Sequence, residues 1–313
     1  MSVVGTPDAQ FLAVNPIGIH AGVWVGDWTP ASAEYAISES ARAGFDLIEI
    51  PVRDPRTTDL ALTRRLLADN GLDAVVSLAL GENLDINTED AEASDRGERM
   101  LEDAVTFARG IGAPYIGGVL YSKMAKYTHA ASAASRDNSL AVLRRVAAKA
   151  GDAGIRLGME YVNRYESNLL NTAGQTVEFI HDLGADNVLL HLDTFHANLE
   201  EPDQATAVRD AGELLGYVHA AENHRGYLGS GSVDWPGLFR QLVLSGYTGP
   251  ITFESFSSDV VGQDTADDIG LWRNLWDDPA DLARSANLFL RSNLETARRA
   301  CVEFSPRPLS TTG

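Results

Sequence analysis

The sequence contains a single cysteine, Cys301, so no disulfide bond can form within the chain. That scarcity fits a reducing compartment, and we expect a cytoplasmic location. Cys301 follows the run ETARRA near the end of a predicted terminal helix, far from the polar motifs described below, which makes it a poor candidate for a nucleophile. No apolar run approaches the roughly 20 residues needed to span a bilayer. The opening MSVVGTPDAQFLAVNP also lacks the basic and then apolar pattern of a signal peptide.

Basic residues are scarce as well. Lys and Arg number 25 against 44 Asp and Glu, which gives a formal net charge of −19. A surface this acidic repels a polyphosphate backbone, so we expect no nucleic-acid partner. The charge is compatible with a small neutral substrate or a bound cation. The hydrophobic share of 44% and the charged share of 22% are ordinary for a soluble globular enzyme with a large core.

The chain alternates short apolar runs with longer amphipathic stretches. Eight runs are predicted strands: 17–23, 46–52, 73–80, 115–121, 155–162, 187–193, 216–222 and 250–256. Stretches such as ASAEYAISESARAG and TAGQTVEFIHDLG lie between them and end in glycine, as helix C-termini commonly do. Repeated alternation of this kind favours parallel strands with crossover helices, and a count of eight predicts one closed (β/α)8 TIM barrel.

The domain boundaries follow from this alternation. We expect a short N-terminal extension over 1–15, a barrel domain over 16–300 and a flexible tail over 301–313. The segment 265–300 carries the last helical pattern, and it begins with a tryptophan-bearing stretch. That stretch is suited either to covering the mouth of the barrel or to contacting another subunit.

The last four predicted strands each carry a ligand-type side chain near the carboxyl end, which the first four strands are expected to lack. These side chains belong to Glu160, Asp193, His219 and Glu254, spaced by 33, 26 and 35 residues, or about one βα unit each. Active sites of TIM barrels are built at that end. The set suits Mn²⁺, Co²⁺ or Mg²⁺ better than a thiolate-rich structural zinc site. The alternatives are solvated glutamates and a hydrogen-bonded core histidine; for His191, two residues before Asp193, we expect such a buried hydrogen-bonding role.

Three further polar residues follow the same strands. Glu166, His196 and Arg225 are expected on the loops just beyond them, where they could bind a polyol. Two plainer interpretations stay open at this point. Arg225 could form a surface ion pair with Glu222, and His196 could simply pack at a helix N-terminus.

Two glycine-rich segments invite functional interpretations. GYLGSGSVDWPG (226–237) lacks the pattern of a phosphate-binding loop, so we expect Ser232 or Asp234 to cap a helix that has Pro236 in its first turn. The pair of glycines at 117–118 either lets a substrate approach the backbone or forms a turn.

Four segments together resemble the D-tagatose 3-epimerase family, which includes the D-psicose (D-allulose) 3-epimerases. They are EYVNRYESNLLNT, LDTFHANLEE, HAAENHRGYLGSG and ITFESF, in the order and spacing of that family. The likeness covers roughly 16–290. It implies a (β/α)8 barrel that inverts C3 of unphosphorylated ketoses with one divalent cation, usually Mn²⁺ or Co²⁺. It also implies a homodimer or homotetramer.

The resemblance implies roles for seven residues. It implies four metal ligands, of which the two glutamates also act as catalytic acid and base: Glu160, Asp193, His219 and Glu254. It implies three substrate-binding residues: Glu166, His196 and Arg225. One glutamate would remove the proton at C3 and the other would return a proton to the opposite face of a cis-enediolate.

The likeness is weaker in the N-terminal half. His20 and Trp24 stand where many members carry aromatic residues, and Met124 follows Lys123 where an aromatic residue is common. These positions shape the pocket beyond C3, so the sequence leaves D-fructose/D-psicose, D-tagatose/D-sorbose and L-ribulose open as substrates. Ketose–aldose isomerases, hydroxypyruvate isomerases and keto-inositol dehydratases use the same barrel and are the alternative functions. The acidic net charge argues against an endonuclease IV-like enzyme, which needs a basic groove for DNA. A sugar-binding protein would not need two glutamates at one cation.

Overall fold

A closed eight-stranded barrel forms the centre of the computed structural model, which describes residues 15–52 and 58–303. Each strand pairs in parallel with the next, and the eighth pairs with the first, so the predicted TIM barrel is confirmed. The strands are β1 Ile17–His20, β2 Leu47–Pro51, β3 Asp73–Ser77, β4 Tyr115–Gly117, β5 Arg156–Glu160, β6 Val188–Asp193, β7 Leu215–Ala220 and β8 Ile251–Phe253. All eight predicted strands are present. Most end earlier than the apolar pattern suggested, because apolar residues continue into the buried loops beyond them.

Helices surround the barrel. Within the described residues they are α1 Pro30–Arg42, α2 Leu60–Asn70, α3 Ala91–Ile111, α4 Ala133–Asp152, α5 Ala173–Leu183, α6 Thr194–Glu200, α7 Gln204–Ala211, α8 Trp235–Leu244, α9 Ser258–Val261, α10 Gln263–Asp268 and α11 Pro279–Glu303. As predicted, helices end in glycine: Gly71 and Gly184 follow α2 and α5 in the left-handed conformation that glycine adopts without strain. None of the helices in the described part of the chain combines the length and the apolar character that a membrane crossing requires.

The C-terminal helix α11 completes the outer ring. It packs against α8 and β1, and Asn287 and Arg291 donate hydrogen bonds to the carbonyl oxygens of Ala43 and Gly44 in the turn before β2. This helix continues to residue 303, past the expected domain boundary at 300. The expected extension over 1–15 lies outside the described residues except for Asn15, and so does the expected tail from 304 onward.

A layer of large side chains fills the lower part of the barrel interior. Tyr115 of β4 stacks on Tyr217 of β7 with ring centroids 4.9 Å apart, and both rings are buried. The strand beside β4 makes room for this pair, because a Cβ atom added at Gly158 of β5 would overlap the hydroxyl group of Tyr115. The absence of a side chain at Gly158 therefore leaves the space that Tyr115 occupies beneath the carboxyl ends of the strands.

We expect Gly158→Ala to destabilise the fold. Overpacking a well-filled core costs about 1–3 kcal/mol, and the added methyl group would overlap Tyr115, which is itself buried and stacked on Tyr217. Gly174→Ala is the matched control, because the added methyl group in the first turn of α5 would meet only Thr172, at 4.0 Å. Urea unfolding should show a lower free energy of unfolding for the first variant alone. Equal stabilities would contradict this account of the interior.

Candidate active site

The four residues predicted as metal ligands lie together at the carboxyl ends of their strands. Glu160 is the last residue of β5, Asp193 is the last of β6, His219 precedes the end of β7, and Glu254 follows β8 directly. All four are buried, with at most 7% of each residue exposed. The register places Asp193 beside His219, which explains how residues from successive βα units reach one height.

The distances among these side chains suit a small cation. Nδ1 of His219 lies 3.3 Å from Oε1 of Glu160 and 3.5 Å from Oε1 of Glu254. One donor atom each from Asp193, His219 and Glu254 lies within 4.8 Å of the other two. Nδ1 of His219 is buried and has no hydrogen-bond partner among the described residues. Carboxylate oxygens with one imidazole nitrogen form a donor set that fits a divalent ion such as Mn²⁺, Co²⁺ or Mg²⁺.

Burial and mutual repulsion set the ionisation of these groups. Burial raises the pKa of the Glu160 carboxyl group, and it raises that of Asp193 well above its usual value. Burial opposes ionisation of Glu254 too, but Arg225 and His219 outweigh it and lower the pKa of this carboxyl group well below its usual range. Burial lowers the pKa of His219, yet the surrounding carboxylates raise it well above its usual value. The cluster therefore concentrates acidic groups that need positive charge beside them.

Arg225 supplies part of that positive charge. Its Nη1 atom lies 3.2 Å from Oδ2 of Asp193 and donates to Oε2 of Glu254, and its guanidinium group lies over the ring of Phe195 at 3.9 Å. The side chain is buried. The alternative of a surface ion pair with Glu222 is therefore wrong. Arg225 also has φ 64°, a left-handed backbone conformation that is uncommon outside glycine.

Glu222 instead organises the loop that follows β7. Its carboxylate accepts hydrogen bonds from the backbone N–H of Gly229 and from Nε1 of Trp235, both at 2.9 Å. Asp234, one of the two residues predicted to cap the next helix, is the N-cap of α8 and accepts from the N–H of Gly237. The glycine-rich segment is thus a loop folded around a buried carboxylate, and Arg225 directly precedes it.

His196 and Glu166 complete the group of seven predicted residues. His196 lies buried in the first turn of α6, and its Nδ1 accepts from the side-chain amide of Asn163 at 2.9 Å. The ring proton of the neutral imidazole is therefore on Nε2, which lies 3.5 Å from Oδ2 of Asp193 and 4.0 Å from Oε2 of Glu166. Asn163 also donates to Glu166 at 2.7 Å. Asn163, to which the sequence pattern assigned no role, orients both side chains.

The expectation that the first four strands lack ligand-type side chains is wrong. His20 ends β1, and Glu49 lies inside β2 with 1% of its surface exposed. Oε2 of Glu49 accepts hydrogen bonds from Nε2 of His219 and from the hydroxyl group of Tyr217, each at 2.8 Å. Burial opposes ionisation of Glu49, but His219 outweighs it and lowers the pKa of this carboxyl group to about 2. The available signal was one acidic residue within the apolar run LIEI.

The prediction for His191 is correct in its burial and wrong in its hydrogen bonding. Neither ring nitrogen of His191 has a hydrogen-bond partner among the described residues. Its Nδ1 lies 3.9 Å from Oε2 of Glu160, and its ring packs against those of Tyr217 and His219. His191 lacks hydrogen-bond partners because aromatic rings fill the space around it in this layer of the barrel. With Glu160 and His219, His191 forms another group of possible donors.

The residues of the N-terminal half that differ from the family pattern lie in different environments. His20 packs edge-to-face against Phe256 near the carboxyl ends of the strands, with ring centroids 5.1 Å apart. Trp24 is buried in the core and packs edge-to-face against Tyr35 of α1. Met124 is partly buried against the core. Gly117 ends β4, and Gly118 approaches the backbone of Leu78 so closely that a side chain would not fit, which favours a turn at this pair of glycines.

Comparison with protein-family models matches residues 37–292 to the family described as "Xylose isomerase-like TIM barrel". The chain is 44% identical over 278 residues to the ketose 3-epimerase of Arthrobacter globiformis, which covers 89% of this chain and 96% of that enzyme. It is also 44% identical over 274 residues to the L-ribulose 3-epimerase of Methylomonas sp. (strain DH-1), which covers 88% of this chain and 96% of the relative.

Among solved structures, the chain is similar to the D-allulose 3-epimerase of Methylomonas sp. in complex with D-allulose. The two share 43% identity and superpose with a TM-score of 0.88, over 90% of this chain and 98% of that one. The similarity therefore covers about nine tenths of the chain, and the family model spans the segments that carry the buried acidic cluster.

We expect a divalent cation to stabilise the protein through this cluster. A ligand that binds only the native state at about 100 times its Kd adds about 2.7 kcal/mol, so Mn²⁺ added after treatment with a chelator should raise the unfolding temperature by several degrees. Asp193→Asn should lose most of that shift. Asp210→Asn, on the exposed face of α7, is the control and should keep it. An undiminished shift in the Asp193 variant would place the cation elsewhere.

Proposed function

The chain belongs to the ketose 3-epimerases within the xylose isomerase-like TIM barrel family, and from this premise we propose that it inverts C3 of an unphosphorylated ketose with one divalent cation. The observation that carries the proposal is the convergence of two buried glutamates, from β5 and β8, on one imidazole nitrogen. Near-complete coverage of a ketose 3-epimerase at 44% identity supports the same reaction.

We assign the cation to four residues: Glu160, Asp193, His219 and Glu254. When bound, a divalent cation of this kind acts as a Lewis acid that lowers the energy of the negative charge developing on the substrate oxygens. The donor set supports Mn²⁺ or Co²⁺ as the preferred ion, with Mg²⁺ as an alternative.

Glu160 and Glu254 are the proposed acid and base. Inversion at C3 requires that a proton leave one face of the cis-enediolate and that another arrive on the opposite face. The two carboxyl groups come from strands separated by β6 and β7, and both reach the same imidazole edge, so they can approach a substrate from different sides. One group removes the C3 proton while the other donates its own, and the roles exchange in the reverse reaction.

Arg225, His196 and Glu166 are the proposed substrate-binding residues. Arg225 and Nε2 of His196 present N–H groups beside Asp193, where they can donate to the oxygen at C2 and polarise the carbonyl group. Glu166 lies next to His196 and can accept a hydrogen bond from a substrate hydroxyl group. The network through Asn163 keeps both side chains in place before the substrate arrives.

The proposed substrates are D-fructose/D-psicose, D-tagatose/D-sorbose and L-ribulose, all of which present a C2 carbonyl group beside a C3 hydroxyl group. We also propose a homodimer or homotetramer. That proposal rests on the resemblance to the D-tagatose 3-epimerase family. A cytoplasmic location stays a prediction.

Removal of either carboxylate should slow epimerisation strongly. General acid–base catalysis contributes roughly 10²- to 10⁴-fold, so we expect kcat of Glu160→Gln and of Glu254→Gln to fall by at least about 10²-fold with fructose, tagatose or ribulose. Glu178→Gln, exposed on α5, is the control and should keep full activity. NMR of the products measures the C3-inverted ketose. Near-normal epimerisation by either active-site variant would refute the assignment.

Reaction in D₂O distinguishes this chemistry from a ketose–aldose hydride shift on the same barrel. Because the second carboxyl group exchanges its proton with solvent between turnovers, the C3-inverted product should carry about one deuterium at C3. A hydride shift would instead yield an aldose that keeps the original hydrogen. Mass spectrometry and ¹H NMR of the product at low conversion measure both outcomes. An unlabelled aldose would establish the alternative isomerase function.

A further inference from the structure

Glu49 is a buried carboxylate that the proposed reaction does not use. It lies in β2, on a strand that supplies none of the seven assigned residues, and only 1% of its surface is exposed. Oε2 of Glu49 accepts two hydrogen bonds, from Nε2 of His219 and from the hydroxyl group of Tyr217. Burying a charged group is costly unless its partners compensate for lost hydration, so its presence needs a reason.

Packing alone does not supply that reason. The hydroxyl group of Tyr217 already has a second partner in Thr252, at 2.5 Å, so it would not be orphaned without Glu49. Replacing a buried ion pair by apolar residues is often neutral or stabilising. The bond that only Glu49 makes is the one to Nε2 of His219, because no other described residue accepts from that atom.

That bond determines which edge of the imidazole faces the carboxylates. With Nε2–H donating to Glu49, the ring is held so that Nδ1 lies toward Glu160 and Glu254. A hydrogen bond at one ring nitrogen selects the tautomer and orients the lone pair of the other, and it raises the basicity of that ligand. Glu49 contacts the far edge of the same ring, so it is not itself placed among the donors around Nδ1.

We propose that Glu49 is a positioning residue, which holds His219 through Nε2 so that Nδ1 is presented to the divalent cation. The inference rests on the cation site of the proposed function and extends it to the first half of the chain. Glu49 of β2 would then hold the imidazole of His219 on β7, and that imidazole would hold the cation. Partners of this kind typically change metal affinity by about 10- to 100-fold.

The test compares a variant that removes the charge of Glu49 with a variant that removes only the hydrogen bond from Tyr217. Glu49→Gln keeps the size of the side chain but removes the charge that favours Nε2–H, whereas Tyr217→Phe removes the other donor and leaves the bond to His219 intact. Mn²⁺ binding to metal-free protein is measured by the EPR signal of the free ion. We expect the Kd to rise by about 10- to 100-fold in the first variant and by no more than about 3-fold in the second. Unchanged affinity in Glu49→Gln, or an equal loss in both variants, would overturn the proposal.

A measurement on the unmodified protein makes the proposal independent of how the Glu49 and Tyr217 variants fold. With ¹⁵N-labelled histidine and the diamagnetic ion Mg²⁺, the signals of His219 are assigned by their loss in His219→Gln. We expect Nε2 to keep its proton and Nδ1 to lose any proton when Mg²⁺ is added. A protonated Nδ1 with a bare Nε2 in the loaded protein would overturn the proposal.

Failure of this inference is distinguishable from failure of the proposed function. If the unmodified protein epimerises ketoses and binds Mn²⁺ while Glu49→Gln binds it equally well, only the role of Glu49 is lost. If the unmodified protein binds no divalent cation, the cation site of the proposed function fails, and the positioning role fails with it.

Discussion

The burial of several carboxyl groups within a few ångströms of one another is the constraint on which the rest of the site depends. Glu160, Asp193 and Glu254 are buried away from water at the carboxyl ends of three strands. Their negative charges repel one another there. Arg225 and the imidazole of His219 supply positive charge at short range, and a divalent cation would supply more. A site arranged in this way is stable only when the compensating groups are held rigidly, which the closed barrel provides.

Loops that are ordered by buried polar groups add to the rigidity of the barrel. Glu222 gathers backbone and indole N–H groups of the loop after β7, and that loop holds Arg225 in a left-handed conformation. Asn163 does the same for the residues after β5 and fixes the tautomer of His196. Beneath them, the stacked tyrosines and the bare Gly158 fill the interior. The proposed catalytic side chains are therefore held in place by residues that take no part in the proposed reaction.

Much of this arrangement could be predicted from the sequence, because a parallel barrel converts spacing along the chain into position around a ring. The eight strands and the clustering of the seven polar residues follow from that rule alone. Glu49 does not, since its partner is 170 residues away and nothing in LIEI indicates which side chain across the barrel it meets. His191 likewise has partners that the sequence pattern does not identify. Its burial is apparent from the strand pattern, but the aromatic rings that surround it come from distant strands.

The bond between Glu49 and His219 also constrains the order in which the protein can mature. Its two ends lie in the first sixth and the last third of the chain, and Glu254 follows later still. A nascent chain leaving the ribosome therefore holds no complete set of cation donors until almost the whole barrel has been synthesised. With the cation site proposed above, ion binding would follow the closure of β8 against β1, and the early strands would associate before the site could hold an ion.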